Sequence, residues 1–461
     1  MPSHDEMLGE AREILETNPW VSEIDLLDCD LNGILRGKRI PAASIDKAFS
    51  EGMKFPRSIL CLDIWGHDVL ANGLVWETGD GDGICKPCGP GLLPMPWSDR
   101  PRMQMLCMMD NIDGTPFMGD PRQILASVVK HFAEKGLTPM VATELEFYLM
   151  AGDSAAGGQP RPPAAPKSGY TLDSPRVYSM EELDEFNDVL TDIRDACEAQ
   201  GLPADTIIVE NGLGQFEVNL HHVADPLLAA DHAVLLRRTV RGVARKHGLQ
   251  ATFMAKPYGN SAGSGFHLHA SLLDQDGKNV FDDGTPEGGD MLRHAIAGMI
   301  AMMPESMLVF APHLNSYRRF QPGAHAPVTA SWGYENRTTA IRIPTSSNKA
   351  RRFEHRLAGA DANPYLVLAA ILAGALYGIE NKVEPPPAVS GDAYDGEEGA
   401  SIGALPTNWG SAIEAFQKGE ILKHSMGEVF MRAFGTCKVQ EMAELGRKVT
   451  DVEFATYLGS I

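Results

Sequence analysis

The sequence predicts an α+β chain in which a small β-rich N-terminal domain, residues 18–109, precedes a larger mixed catalytic domain, residues 110–461. Three observations predict it. At 461 residues the chain exceeds the roughly 250–300 residues at which a single hydrophobic core stops growing. Glycine-broken β-like runs fill the region from Val21 to Leu93, whereas helical periodicity alternates with strands beyond it. In that second region charged side chains recur at a spacing of two, which puts each pair on one face of a strand.

The elements follow in order. Residues 5–17 have the spacing of a short amphipathic helix, with Met7, Ile14 and Leu15 apolar, and it ends before Asn18-Pro19. Ile24–Leu27, Leu31–Gly37 and Ile59–Ile64 read as short strands; Gly89-Pro-Gly and Pro94-Met-Pro mark a loop, and Met103–Met109 a buried strand. Pro121–Lys135 is a helix capped by Asp120 with proline in its first turn, and strand Met140–Met150 follows. Residues 151–169, rich in glycine and proline, predict a mobile surface loop. Helical patterns return at 180–200, 225–247, 287–303, 363–380 and 408–447, and no fixed-period repeat occurs.

Composition narrows the function. Hydrophobic residues at 44% and charged residues at 22% describe an ordinary soluble domain, and the net charge of −21 argues against a nucleic-acid partner. Seven cysteines scattered from Cys29 to Cys437 read as reduced cytosolic thiols, and Cys85-Lys-Pro-Cys88 lacks the second ligand pair of a zinc site. The stretch MPSHDEMLGE has no secretory pattern, and the uncharged run Pro364–Ile379 falls short of the roughly 20 residues of a membrane span, so the expectation is a cytoplasmic protein with a buried helix there. No Walker phosphate loop, dinucleotide fingerprint or Gly-x-Ser-x-Gly elbow occurs.

The chemistry is concentrated in a few stretches. Glu144-Leu-Glu146 sets two glutamates on one face of an apolar strand, where unpaired burial is costly. Glu217 and Glu354 add two more, and such oxygen-rich clusters suit Mg²⁺ or Mn²⁺. His267 and His269 share a face after the glycine-rich turn Gly263-Ser-Gly265. Arg319, Arg337, Arg342, Arg352, Arg356 and Lys349 supply phosphate-type positive charge beside them. A salt-bridge network alone accounts for this mixture; the combination of metal-type carboxylates and phosphate-type arginines is better explained by metal-assisted phosphoryl transfer.

These residues resemble the glutamine synthetase superfamily over nearly the whole chain. The matching stretches are Asp113-Gly-Thr-Pro-Phe with Asp120-Pro-Arg, Glu144-Leu-Glu146, Gly214-Gln-Phe-Glu217, Gly263 to His269, Asn315-Ser-Tyr-Arg-Arg319, Asn336-Arg-Thr with Ile341-Arg-Ile-Pro, and Arg352-Phe-Glu354-His-Arg356 followed by Ala362-Asn-Pro-Tyr. The resemblance implies an N-terminal β-grasp domain, a glutamine-synthetase-like catalytic domain with a curved antiparallel sheet, and a homo-oligomer, a dodecamer of two stacked hexamers. It implies that Glu146, Glu210 and Glu217 hold one divalent ion and Glu144, His267 and Glu354 another. By the same resemblance Arg319, Arg356 and Gly263 bind glutamate, while Arg337, Arg342, Lys349, Arg352 and Ser271 bind ATP, with His269 near the transferring phosphate. ATP would phosphorylate the γ-carboxylate of glutamate, and an amine would then displace phosphate to give a γ-glutamyl amide.

Departures from the family pattern bear on the amine. The flap usually reads Pro-Gly-Tyr-Glu-Ala-Pro; here it is Pro322-Gly-Ala-His325-Ala-Pro, and a neutral imidazole can take a proton but lacks the fixed charge that draws ammonium. The acidic ammonium subsite is replaced near Leu62-Asp63-Ile-Trp65-Gly66, with Asp63 as its acidic candidate, and Ala262 stands where asparagine is usual. Trp332-Gly-Tyr-Glu-Asn-Arg337 looks most like the γ-glutamylpolyamine and γ-glutamylalkylamide synthetase branch, so a primary organic amine, a polyamine or short alkylamine, is expected, with Arg337, His269, His325 and Asp63 as catalytic candidates. The alternatives are a glutamine synthetase that uses ammonia and a catalytically silent structural or ATP-sensing ring. Tyr394 falls near the loop that some relatives adenylylate, in different surroundings.

Overall fold

The opening helix α1 (His4–Thr17) is capped reciprocally: the Ser3 hydroxyl accepts from the Glu6 N–H, and the Glu6 carboxylate accepts from the Ser3 N–H. The structure is a computed structural model that describes residues 3–154, 160–321, 323–394 and 405–461. Five strands follow α1: β1 (Glu23–Cys29), β2 (Leu35–Pro41), β3 (Met53–Pro56), β4 (Asp82–Pro94) and β5 (Met103–Asn111), with helix α2 (Ile45–Ser50) between β2 and β3. They form one sheet in the order β2-β1-β5-β4-β3, parallel only where β1 meets β5.

Two expectations change in this sheet. Ile59–Ile64 is not a strand, because Arg57–Cys61 coils as a 3₁₀ turn after Pro56, whose ring fixes φ and offers no N–H to a continuing ladder. Gly89-Pro-Gly does not end a strand either. It is a bulge inside β4, with the register jumping between Cys88 and Leu93, because Gly89 (φ 70°) and Gly91 (φ 87°) take a left-handed conformation. Cys85 and Cys88 lie buried on this strand, the Cys85 thiol donating to Asp28 Oδ2 at 3.2 Å, and burial pushes both thiols up, so the pair is unreactive packing.

The second sheet has eight strands: β6 (Thr138–Ala151), β7 (Ala204–Val209), β8 (Gln215–Val223), β9 (Leu249–Thr252), β10 (Phe266–Leu273), β11 (Trp332–Tyr334), β12 (Ile341–Ile343) and β13 (Phe353–His355). Their order is β11-β12-β13-β10-β6-β8-β7, with β9 paired to the end of β6, and all pairs are antiparallel except β11 with β12. Residues 155–159 of the expected loop lie outside the described residues. Its described flanks are packed: Ala165 is buried, and the Ala151 N–H donates to Arg161 O.

Ten further helices are present among the described residues: α3 (Pro121–Glu134), α4 (Met180–Glu185), α5 (Asn187–Ala199), α6 (Pro226–Lys246), α7 (Asp290–Phe310), α8 (Pro364–Asn381), α9 (Trp409–Gln417), α10 (Glu420–Met426), α11 (Glu428–Gly446) and α12 (Asp451–Tyr457). Asp120, Asp225 and Asn363 cap α3, α6 and α8, each just ahead of a proline in the first turn. The pattern at 408–447 resolves into three helices because Gly419 and Gly427 interrupt it, Gly427 with φ 90°. Helix α8 has the length and apolar character of a membrane span, yet 78% of it is buried in this fold. It crosses α7 at near backbone contact, since a Cβ on Gly378 would lie 1.9 Å from His294 O and one on Gly298 2.2 Å from Gly374 O.

Helix α11 fastens the two ends of the chain together. Lys438 and Glu441 are fully buried; Lys438 Nζ donates to Glu441 Oε2 at 2.9 Å and to Asn32 Oδ1 beside the first sheet. Glu441 Oε1 in turn accepts from the Ile64 N–H at 2.9 Å.

Candidate active site

Strand register assembles the charged side chains. Across β6, Glu144 is the Cα partner of His267 on β10 and of Asn219 on β8, and Glu146 is the partner of Glu217. Across β13, Glu354 is the partner of His269 on β10 and of Arg342 on β12. Glu210 lies just past β7 in the turn to β8, where its N–H donates to Gln215 O at 2.9 Å. Two cavities open on this face. The larger, about 830 Å³, is lined by Glu144, Glu146, Glu210, Glu217, His267 and Glu354 together with Gly263, Arg319, His325, Arg337, Arg342 and Arg356. The smaller, about 440 Å³, is lined by His269, Ser271, Lys349 and Arg352, and Glu144 belongs to both.

Asp63 lines neither cavity in this chain. It is fully buried beneath α11, Oδ1 accepting from the N–H groups of Trp65 (3.0 Å) and His67 (2.9 Å) and Oδ2 from Gln440 Nε2 (2.9 Å). Its hydrogen bonds thus hold a turn against a helix.

The electrostatics of the cluster are uneven. Burial would raise the Glu144 carboxyl, but hydrogen bonds with His267 Nδ1 (3.2 Å) and His269 Nε2 (2.9 Å) hold it far below the ordinary range. Glu354 is likewise buried, yet Arg356 and the histidines bring it down to about 2, and Arg342 Nη1 sits 2.7 Å from its Oε2. Glu217 has too little such relief: burial, then Glu146, Glu144 and Glu210, push it up to about 10 against a smaller opposing effect of Arg356. Glu210 is raised to about 7 by burial and Glu146. This half of the cluster is short of positive charge, which is what a divalent cation supplies.

Donor geometry fits such an ion. One ligand atom each from Glu144, Glu217 and His267 lie within 4.8 Å of one another, and so do atoms from Glu144, His269 and Glu354. Carboxylate oxygens with an imidazole suit Mg²⁺ or Mn²⁺. The grouping differs from the one the resemblance implies: His269 joins Glu144 and Glu354, and Glu144 is common to both sets.

The basic side chains flank the acidic ones. Arg319 is buried, with Nη1 donating to Leu357 O at 2.7 Å, and Gly263 makes room for it, since a Cβ there would stand 2.7 Å from Arg319 Cγ. Arg342 Nε and Arg356 Nε are buried with no hydrogen-bond partner among the described residues, an arrangement that suits an anionic ligand. Arg337, Lys349 and His325 are exposed to the cavities, and His325 holds a left-handed backbone (φ 52°).

Sequence reasoning missed Gln215. Its Nε2 donates to Glu146 Oε2 (3.1 Å) and to Gly263 O (3.0 Å), joining a carboxylate of the acidic cluster to the turn beneath Arg319. The signal was present in its spacing of two from Glu217. Lys256, whose Nζ donates to Ser261 O, and Tyr178, with φ 59°, also line the larger cavity and had no sequence signal.

Comparison with known proteins gives the family. Residues 118–457 match the glutamine synthetase catalytic domain. The chain is 42% identical over 444 residues to the γ-glutamylputrescine synthetase PuuA of Escherichia coli (strain K12), covering 96% of this chain and 93% of that protein. It is 32% identical to the glutamate–isopropylamine ligase of a Pseudomonas species, covering 98% and 99%. Among solved structures, an ADP complex of GmaS superposes with a TM-score of 0.83 at 30% identity, covering 98% of this chain and 99% of that one. With the family's catalytic domain spanning most of its length and this acidic and basic face at its centre, the chain belongs to the glutamine synthetase family.

Proposed function

We propose that this protein is an ATP-dependent γ-glutamyl amide ligase that joins glutamate to a primary organic amine, a polyamine or a short alkylamine. The observation that carries the reading is that Glu144 stands between two cavities, one lined by Ser271, Lys349 and Arg352, the other by Arg319, Arg356 and His325. Phosphoryl transfer between two substrates needs a pair of sites that meet at a charged partition.

In this reading ATP occupies the smaller cavity and glutamate the larger, its carboxylate facing Arg319 and Arg356. A γ-carboxylate oxygen attacks the terminal phosphorus, the bond to the ADP oxygen breaks, and the amine nitrogen then displaces inorganic phosphate from the acyl phosphate. Arg337 and Arg342 neutralise charge on the moving phosphoryl group. His325 receives the proton that the attacking ammonium group loses, on a ring nitrogen. Divalent ions held by Glu144, Glu217 and His267 and by Glu144, His269 and Glu354, with Glu146 and Glu210 beside them, would supply further charge neutralisation.

The names of the similar proteins, which act on putrescine and isopropylamine, support an organic amine over ammonia. The replacement of the usual flap glutamate by His325 supports it from the chain's own residues. We read residues 18–109 as a β-grasp domain that completes the site of a neighbouring subunit in a two-ring dodecamer, with Asp63 near that contact, and we assign the enzyme to the cytoplasm. The test is phosphate release with ATP, Mg²⁺ and glutamate across a panel of ammonium, methylamine, ethanolamine, isopropylamine and putrescine. Faster turnover of ammonium than of every amine overturns the assignment.

A further inference from the structure

His325 and Arg337 are carried on separate loops, and one stretch of chain touches both. Residues 386–394 run alongside the Trp332–Thr338 segment. Trp332 Nε1 donates to Pro386 O (2.7 Å), the Val389 N–H to Trp332 O (2.8 Å), and Asn336 Nδ2 to Gly391 O (2.7 Å). The Ala393 N–H then donates to Thr338 Oγ1 (3.0 Å), one residue beyond Arg337. The same stretch next reaches the His325 loop: Tyr394 Oη donates to Ala326 O at 2.8 Å, one residue beyond His325. Ala393 and Ala326 are both buried, so the ring and its hydroxyl bridge two buried anchor points.

His325 itself is exposed and makes no hydrogen bond among the described residues, and its φ of 52° is a conformation that a side-chain-bearing residue keeps only when its surroundings hold it there. Two such holds flank it among the described residues, the Ala324 N–H donating to Gln321 O at 3.1 Å within the loop and the Tyr394 hydroxyl, which alone of the two ties the loop to another part of the chain. We infer that Tyr394 is a positioning residue: through Ala326 it fixes the backbone of the His325 loop relative to the Arg337 turn, and so sets where the amine nitrogen must lie to lose its proton. The inference deepens the reading of His325 given above and rests on it for its kinetic consequence, but the latch itself is a property of the fold.

The experiment compares the full-length protein with Tyr394→Phe, which keeps the ring and removes the hydroxyl, and with Thr338→Val, which releases the other end of the stretch. Hydrogen exchange of the backbone amides at 323–330 is measured first, without substrates. Loss of one hydrogen bond should speed exchange there about fivefold to tenfold in Tyr394→Phe, with α7 and α8 unchanged. In the kinetic arm, kcat/KM for the preferred alkylamine should fall by about the same factor while the KM for ATP holds steady. Turnover of hydroxylamine, which is uncharged near neutral pH and needs no proton removed before attack, should be nearly unaffected. Thr338→Val should show the same split, and the double variant should lose less than the product of the two single losses.

Unchanged exchange at 323–330 in Tyr394→Phe overturns the latch. An equal loss toward alkylamine and hydroxylamine overturns the positioning role. If the unsubstituted protein turned over ammonium better than every organic amine, the functional reading would fall, while the exchange measurement would still decide the latch.

Discussion

Glu146 of β6 and Glu217 of β8 face each other directly across the ladder, two carboxylates paired where strands normally place complementary groups. Metal-free, the pair is a source of repulsion. Glu217→Gln should therefore raise the melting temperature of the EDTA-treated protein, because it removes the carboxylate that Glu146, Glu144 and Glu210 crowd. The unsubstituted protein should gain several degrees on addition of Mg²⁺ or Mn²⁺, and the variant should gain little. Thermal melts with and without metal check both halves. A variant that is less stable than its parent in EDTA contradicts the account.

The loop after β1 offers a pH test away from the site. Asp30 is fully buried, and burial, partly offset by Arg36 at 2.8 Å, pushes its carboxyl up to about 6 from an ordinary 3.8. The folded state then holds a proton that the unfolded state has released. The contribution is fully present below the unfolded value and is lost as pH rises from 3.8 through about 6. Asp30→Asn should keep the bonds accepted from the Asn32 and Ile34 N–H groups without that dependence. Urea melts across this window should show parent and variant diverging as pH rises and running parallel above it.

Gly263 and Arg319 define a steric prediction. A methyl group at 263 would meet Arg319 Cγ at 2.7 Å and Ala255 O at 2.8 Å, both too close to coexist. Gly263→Ala should displace the guanidinium and raise the KM for glutamate at least tenfold, a cost of about 1.4 kcal/mol or more. The KM for ATP should hold. Steady-state kinetics with each substrate varied in turn decide it, and a uniform rise in both constants would point to general unfolding instead.

His325→Glu should return fixed negative charge to the mouth of the larger cavity. The expected result is a rise of about tenfold in kcat/KM for ammonium relative to a bulky amine such as isopropylamine, since a small cation gains most from a carboxylate. Competition between the two amines in one reaction mixture, with products separated by mass, reads the ratio directly. No change in the ratio would remove His325 from the selectivity argument.

How much of this was visible in the chain itself depends on the range of each interaction. Glu144, Glu146, His267 and His269 were legible because the two-residue period of a strand is a local property, and register then brought them together. The three-residue strands β12 and β13 carry too few side chains for any periodicity, so only their charges marked them. Ile59–Ile64 misled because a short apolar run suits a buried turn as well as a strand. The fixing of Asp63 was illegible for a different reason: Gln440, which donates to its Oδ2, is 377 residues away, and nothing near Asp63 signals that partner.

That long reach has a consequence for how the molecule is made. Lys438 meets Asn32 across a separation of 406 residues, so the first sheet must wait on the ribosome for almost the entire polypeptide before its last polar groups find their mates. Until α11 emerges, the carbonyl of Asn32 and the amide of Ile64 stay open to water, and a message cut short ahead of that helix would yield a protein whose beginning is unfinished because its end is missing.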